Sequence, residues 1–232
     1  MGSNEKWRLY TRKDMCYSLS ASISVGVGLG IIGSLLVGRA RRCDQKMIIY
    51  ACFPLVYSVH QLIEAVNWYA IESPFDGDII FRYLYSIIAF GFWPVLIPLA
   101  ALVAEKRKNW RNIWLLAVIS GIVLSGYLWI KLVRASGLDV TVYRHSLAYK
   151  PLFDDPPAVV IAAYVAITSL PSILSKSVAI NVFGWLVFSS FFVSVIASKP
   201  AWYSVWCMIA AISSMLMAFA IGDSSGKNEQ KC

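Results

Sequence analysis

The sequence predicts an all-α, polytopic membrane protein built as a seven-transmembrane-helix bundle. Three observations carry that prediction. The 232 residues are 58% hydrophobic and only 15% charged, whereas a soluble domain carries roughly a quarter charged residues. The apolar residues come in runs of about twenty, each long enough to cross a hydrocarbon layer of about 30 Å. The basic residues behind the formal charge of +8 fall between those runs. That is the distribution of cytoplasmic loops, and it leaves neither a nucleic-acid-binding face nor room for a separate soluble domain.

Taken in order, the runs place helices at residues 17–37, 47–71, 79–104 and 113–133 and, after a longer connection, at 158–174, 178–197 and 201–221. In lipid every backbone polar group has to be satisfied within the protein, so runs this long and this free of charge are helices. The split between the fifth and sixth rests on Ser175-Lys176-Ser177 after Pro171, with one kinked helix as the competing reading. The connection 134–157 is expected to cap the outer face. It holds Val140-Thr141-Val142-Tyr143, which alternates as a strand does, and Asp154-Asp155-Pro156-Pro157, a start signal for the fifth helix. Residues 1–14 read as a basic extension, 15–222 as the membrane domain and 223–232 as a short cytoplasmic tail.

Orientation follows from the short loops. Arg39, Arg41, Arg42 and Lys46 follow the first helix and Lys106, Arg107, Lys108 and Arg111 the third, while the loop after the second holds Glu72, Asp76 and Asp78 without a Lys or Arg. Basic loops belong in the cytoplasm, which puts the N-terminus outside and the C-terminus inside. Lys6, Arg8, Arg12 and Lys13 in the N-terminal tail run against that orientation.

Several familiar motifs do not hold. The five cysteines, Cys16, Cys43, Cys52, Cys207 and Cys232, include no Cys-x-x-Cys pair, so neither a zinc module nor a disulfide framework is expected. Cys43 reads as a free thiol, with palmitoylation as the alternative beside its arginines. Gly2 lacks the downstream Ser or Thr of a myristoylation signal, since Lys6 stands there. The start carries no cleavable secretory signal. Gly28-Leu29-Gly30-Ile31-Ile32-Gly33 matches a dinucleotide fingerprint but follows no strand. With Gly26, it is a surface for close helix packing. The seventh helix has no Lys for a retinal Schiff base.

Ionisable groups inside membrane helices are costly, so each is a functional-site candidate. The second helix carries Tyr57, His60, Gln61, Glu64, Asn67 and Trp68, and the His60, Glu64, Trp68 spacing stacks those three on one face. Glu64 lies about 10 Å and His60 about 16 Å below the outer helix end at the usual rise. Four roles remain open: a proton relay, a metal or haem site, the floor of a pocket for a small ligand, and a structural tie between helices. Arg82, one turn into the third helix, is the expected counter-charge for Glu64 or Glu72. A metal site would draw on His60, Glu64, Cys16 and His145, the last reaching over from the outer connection with Tyr143 and Tyr149 around it. The His-Glu-x-x-His and Glu-x-x-His patterns are absent.

The residues also carry a resemblance. Met15-Cys16-Tyr17-Ser18-Leu19-Ser20-Ala21-Ser22 resembles the Met-Cys-Phe-Ser-x-x-Ala-Ser opening of a mostly bacterial family of multi-helix membrane proteins, a domain of unknown function. His60-Gln61-Leu62-Ile63-Glu64-Ala65-Val66-Asn67-Trp68 resembles its His-Gln-x-x-Glu-Gly-x-x-Trp block, with Ala65 in place of Gly. Phe92-Trp93-Pro94 with Pro98 and Glu105, and Trp206-Cys207 with Ala210-Ala211 and Ser213, resemble its third and last helices. The resemblance implies a membrane bundle without an established activity, a start at Met15 as an alternative to Met1, and Cys16, His60, Gln61, Glu64 and Trp68 as a matched set. The leading expectation is a transporter- or sensor-like protein with a polar pocket on the second helix and Cys16, Ser18 and Arg82 at its mouth. A membrane-embedded metal-dependent hydrolase or lipid enzyme, and an accessory subunit with a membrane-protein partner or a second copy of itself, are the rivals.

Overall fold

The computed structural model describes residues 19–143, 146–151 and 156–226. It is a bundle of helices with one small hairpin. The helices are α1 Leu19–Cys43, α2 Gln45–Glu72, α3 Asp78–Ala104, α4 Lys108–Arg134, α5 Ala158–Ile173, α6 Val178–Ala197 and α7 Lys199–Gly222. All but α5 are long and apolar enough to cross a membrane. α5, with 16 residues, is about 24 Å long at the helical rise. Between α4 and α5, β1 Leu138–Tyr143 and β2 Ser146–Pro151 pair antiparallel, with Val140 opposite Tyr149 and Val142 opposite Leu147.

The helices run further than their apolar segments. α1 continues through Arg39, Arg41 and Arg42 to Cys43, and α4 begins at Lys108. Arg41 and Arg42 sit in the last turn of α1, where cations complement the helix dipole. The kinked-helix reading of residues 158–197 is corrected: α5 ends at Ile173, α6 starts at Val178, and the Asn181 side-chain amide donates to the Ile173 carbonyl across the turn. The free-thiol reading of Cys43 is corrected too. Cys43 is disulfide-bonded, whereas Cys52 and Cys207 are free.

Apolar side chains left outside the bundle recur at helical spacing. On α1, Ile23, Val27, Ile31 and Leu35 are exposed, rising to 60% and 70% at the last two. A stripe of that kind has no place in water and faces lipid. On its other face Gly26, Gly30 and Gly33 meet Ser58, Leu62 and Leu55 of α2, and Ser58 Oγ donates to the Gly26 carbonyl at 2.6 Å. The glycine surface is therefore consumed by packing inside the chain.

Helix α3 is the irregular element that shapes the centre. Pro94 and Pro98 remove two backbone donors, and the helix widens into a π-type turn at Ile88–Phe92 just before Pro94. Neighbouring side chains satisfy its carbonyls, as a membrane interior requires. Trp129 Nε1 donates to Ile87 O at 3.0 Å, Ser125 Oγ to Gly91 O at 2.6 Å, and the Tyr164 hydroxyl to Ala89 O. Gly91 leaves the room Trp129 needs, since a Cβ there would lie 1.9 Å from the indole nitrogen. Gly121 of α4 abuts the Pro94 carbonyl, which Pro98 cannot serve as a donor; a Cβ there would lie 2.0 Å from that oxygen.

Candidate functional site

The polar residues in the middle of helix α2, from Ser58 to Asn67, all turn inward. His60 and Gln61 are 0% exposed and Glu64 and Asn67 1%, with Tyr57 and Trp68 buried beside them. The face that the spacing predicted is thus real as a face, but it is sealed in packed protein.

Each polar group reaches a different neighbour. His60 Nε2 lies 3.3 Å from the Tyr85 carbonyl of α3. A carbonyl only accepts, so Nε2 carries the proton and Nδ1, which has no partner, is left as a bare acceptor in the neutral ring. The His60 ring stacks on Tyr85 at 4.2 Å, and Tyr85 stacks on Tyr149 of β2 at 4.0 Å. Glu64 accepts from the Gln61 amide at 3.3 Å and from the Ser204 hydroxyl of α7. Asn67 donates to the Phe81 carbonyl at 3.2 Å and to the Tyr149 hydroxyl at 3.0 Å. Tyr57 stacks on Trp93 at 3.9 Å. Outside the spans, burial pushes the Tyr149 hydroxyl well above the ordinary phenol range, so it stays neutral.

The cluster leaves several polar atoms unpaired. Gln61 Oε1, Asn67 Oδ1 and His60 Nδ1 are buried acceptors without a partner, and the Tyr85 hydroxyl has none either, its neighbour being the weakly bonding Cys207 sulfur. Buried polar atoms are normally paired, so a group of orphans on one element calls for an explanation such as ordered water or a ligand. Glu64 has no cation in ion-pair range among the described residues.

Arg82 does not serve that purpose. It pairs with Asp78 one turn before it at 2.6 Å, the partner its own helix supplies at i−4, so the expected pairing with Glu64 or Glu72 is corrected. Cys16, Ser18 and His145 lie outside the described residues. Among the described residues no three or more His, Cys, Asp or Glu side chains group as metal ligands. His60 and Glu64 supply two metal-binding side chains, and they bond to different elements rather than to each other.

Sequence reasoning missed Tyr85 and Ser204. Ser204 is one hydroxyl in an apolar run, and nothing local links it to a carboxylate on another helix. Within the connection between α4 and α5, Tyr149 of β2 packs on Tyr85 and accepts from Asn67 beside the His60 face.

The family comparison then decides kinship. A family model described as a family of unknown function, DUF6629, matches residues 15–231. The chain belongs to DUF6629. The match begins at Met15, the start of the motif that carried the resemblance, and it covers the whole α2 site. No curated protein and no solved structure matches this DUF6629 chain.

Proposed function

We propose that this DUF6629 protein is a transporter- or sensor-like membrane protein whose buried α2 face handles protons, with Glu64 taking up and releasing a proton and His60 one turn away on the same buried face. The observation that carries this is a carboxyl group sealed between α2 and α7 with a hydroxyl and an amide as its partners among the described residues, flanked by acceptors that lack donors. Buried acids inside membrane bundles mark proton and ion pathways, and water links them to neighbouring polar groups where side chains leave acceptors open.

The proposal includes seven crossings with the N-terminus outside and the C-terminus inside. Support for the count comes from α5. Its turn into α6, at Ser175 and Lys176, lines the same cleft as Lys46, Lys106 and Arg107, and its start follows the hairpin whose Tyr149 meets Asn67 near the opposite end of α2. Support for the orientation is the basic character of the cleft end. The Cys43 disulfide at that end weighs on the other side, because cytosolic disulfides are rare. Labelling a Lys176→Cys variant with a membrane-impermeant thiol reagent in intact cells decides it: protection supports the orientation and labelling reverses it.

Infrared difference spectroscopy on the purified chain in nanodiscs tests the proton role. A carboxylic C=O band that titrates with pH is expected in the wild type, lost in Glu64→Gln and displaced in Glu64→Asp. A spectrum that neither substitution alters overturns the reading. The rival role, a structural tie, is favoured by the bonds that α2 sends to α3, β2 and α7; it predicts lowered stability in Glu64→Gln with no titrating carboxyl band in any variant.

A further inference from the structure

At the basic end of the bundle three connections surround a cleft of about 410 Å³. Lys46 and Tyr50 come from the start of α2, Lys106 and Arg107 from the α3–α4 loop, and Lys176 with Ser177 from the α5–α6 turn.

The charges in it are unbalanced. Asp44 accepts from the Lys46 backbone N–H at 3.1 Å. Glu105 is spent on Arg107, bonding Nη2 at 2.6 Å and Nε at 2.9 Å, on the backbone N–H groups of Lys106 and Arg107, and on Trp114 Nε1 at 3.2 Å. Glu105 is thus neutralised within its own loop, and Asp44 is left as one carboxylate against the ammonium groups of Lys46, Lys106 and Lys176. Lys46, Lys106 and Lys176 make no ion pair among the described residues.

Two helices also begin at the cleft. α4 starts after Arg107 and α6 after Ser177, and neither has a side-chain cap on its first-turn N–H groups. Such N–H groups and the positive dipole end favour an anion. Behind them the Tyr50 hydroxyl faces Ser172, and both residues are fully buried. The remaining wall is apolar, from Met47, Ala101, Leu174 and Ile180.

We infer that this cleft binds a phosphate group, and that the phosphate is carried by an anionic phospholipid headgroup. Phosphate suits three unpaired ammonium groups and two open helix starts. A lipid suits the mixed wall, because a cleft at the end of a membrane bundle meets headgroups, and basic pockets between membrane helices are known headgroup sites.

Native mass spectrometry of the delipidated full chain, with dioleoyl phosphatidic acid or dioleoyl phosphatidylcholine added, tests this. The wild type should retain phosphatidic acid at a single site, and Lys46→Gln/Lys106→Gln/Lys176→Gln should lose roughly a hundredfold in affinity, at about a factor of five per lysine. The corresponding triple Lys→Arg variant should keep the binding, and equal melting of all forms without lipid shows that the fold is intact. Inorganic phosphate should compete weakly. If it competes as well as the lipid, the phosphate site stands and the lipid source is wrong. Equal retention of phosphatidic acid by the wild type and the triple Gln variant overturns the site.

Discussion

Glu64 of α2 accepts a hydrogen bond from Ser204 of α7, a residue 140 positions away, and this bond ties the last helix to the second. The remaining carboxyl oxygen has the Gln61 amide. Ser204→Ala therefore leaves a buried acceptor short of a donor. The expected cost is about 1–2 kcal/mol, above the roughly 0.6 kcal/mol average of hydrogen bonds between membrane helices because nothing replaces the donor. Reversible denaturation in mixed micelles, run as a double-mutant cycle with Glu64→Gln, measures it. A coupling near zero would show that the two residues do not interact.

The stack of His60, Tyr85 and Tyr149 docks the hairpin onto the bundle. Tyr149→Phe keeps the stack and removes only the Asn67 partner, so a loss of about 1 kcal/mol is expected. Tyr149→Ala also removes a buried ring, with a loss of about 3–5 kcal/mol. Amide hydrogen exchange in residues 138–143 should accelerate far more in the alanine variant. Equal protection in both would mean that β1 and β2 are held by something else.

Gly121 and Gly126 lie on the same helix and should answer oppositely. A Cβ at Gly121 meets the Pro94 carbonyl oxygen, which is backbone and cannot swing aside, whereas a Cβ at Gly126 meets nothing within 4 Å. Gly121→Ala is expected to cost about 1–3 kcal/mol through forced separation of α3 and α4. Gly126→Ala should be neutral or gain up to about 1 kcal/mol from helix propensity. Melting temperatures of the two variants side by side make the comparison, and equal effects would contradict the packing.

The α3–α4 loop carries a pH dependence with a definite sign. The Arg107 side chain holds the Glu105 carboxyl down from 4.5 to about 2; burial opposes this, while the Arg107 backbone N–H and the Trp114 indole assist. A carboxyl depressed on folding stabilises the fold above its unfolded pKa, and that contribution is lost as pH falls through the folded one. The loop should therefore hold unchanged down to about pH 4.5 and weaken between there and about pH 2. The Trp114 indole N–H, bonded to Glu105 at 3.2 Å, is the reporter: its NMR shift should titrate with a midpoint near 2 and stay flat in Glu105→Gln. A midpoint near 4.5 would mean that the Arg107 contact is absent in solution.

Much of this protein was legible without coordinates, for a physical reason. Lipid admits few backbone solutions, so an apolar run of about twenty residues announces a helix, and six of the seven expected runs are helices of spanning length. The inward face of α2 was legible too, because i, i+4 spacing on a helix is a local property and His60, Glu64 and Trp68 declare it. The glycine surface of α1 followed the same logic, although only the packing of Gly26 and Gly30 on Ser58 and Leu62 revealed that it is used within the chain.

What only the tertiary structure decided are the pairings. Arg82 could have answered any nearby carboxylate, and it took Asp78 on its own helix. Glu64 was matched with a hydroxyl on α7, and His60 with a backbone carbonyl beside a π-type turn. These contacts join segments far apart in the chain, and the register between helices is set by shape, by where Gly91 and Gly121 let neighbours approach and where proline leaves a carbonyl open. Composition and periodicity determine that a residue lies inside a membrane bundle. Which partner it meets there depends on how the helices rotate and slide against one another, a property of the packed whole that no local stretch of sequence contains.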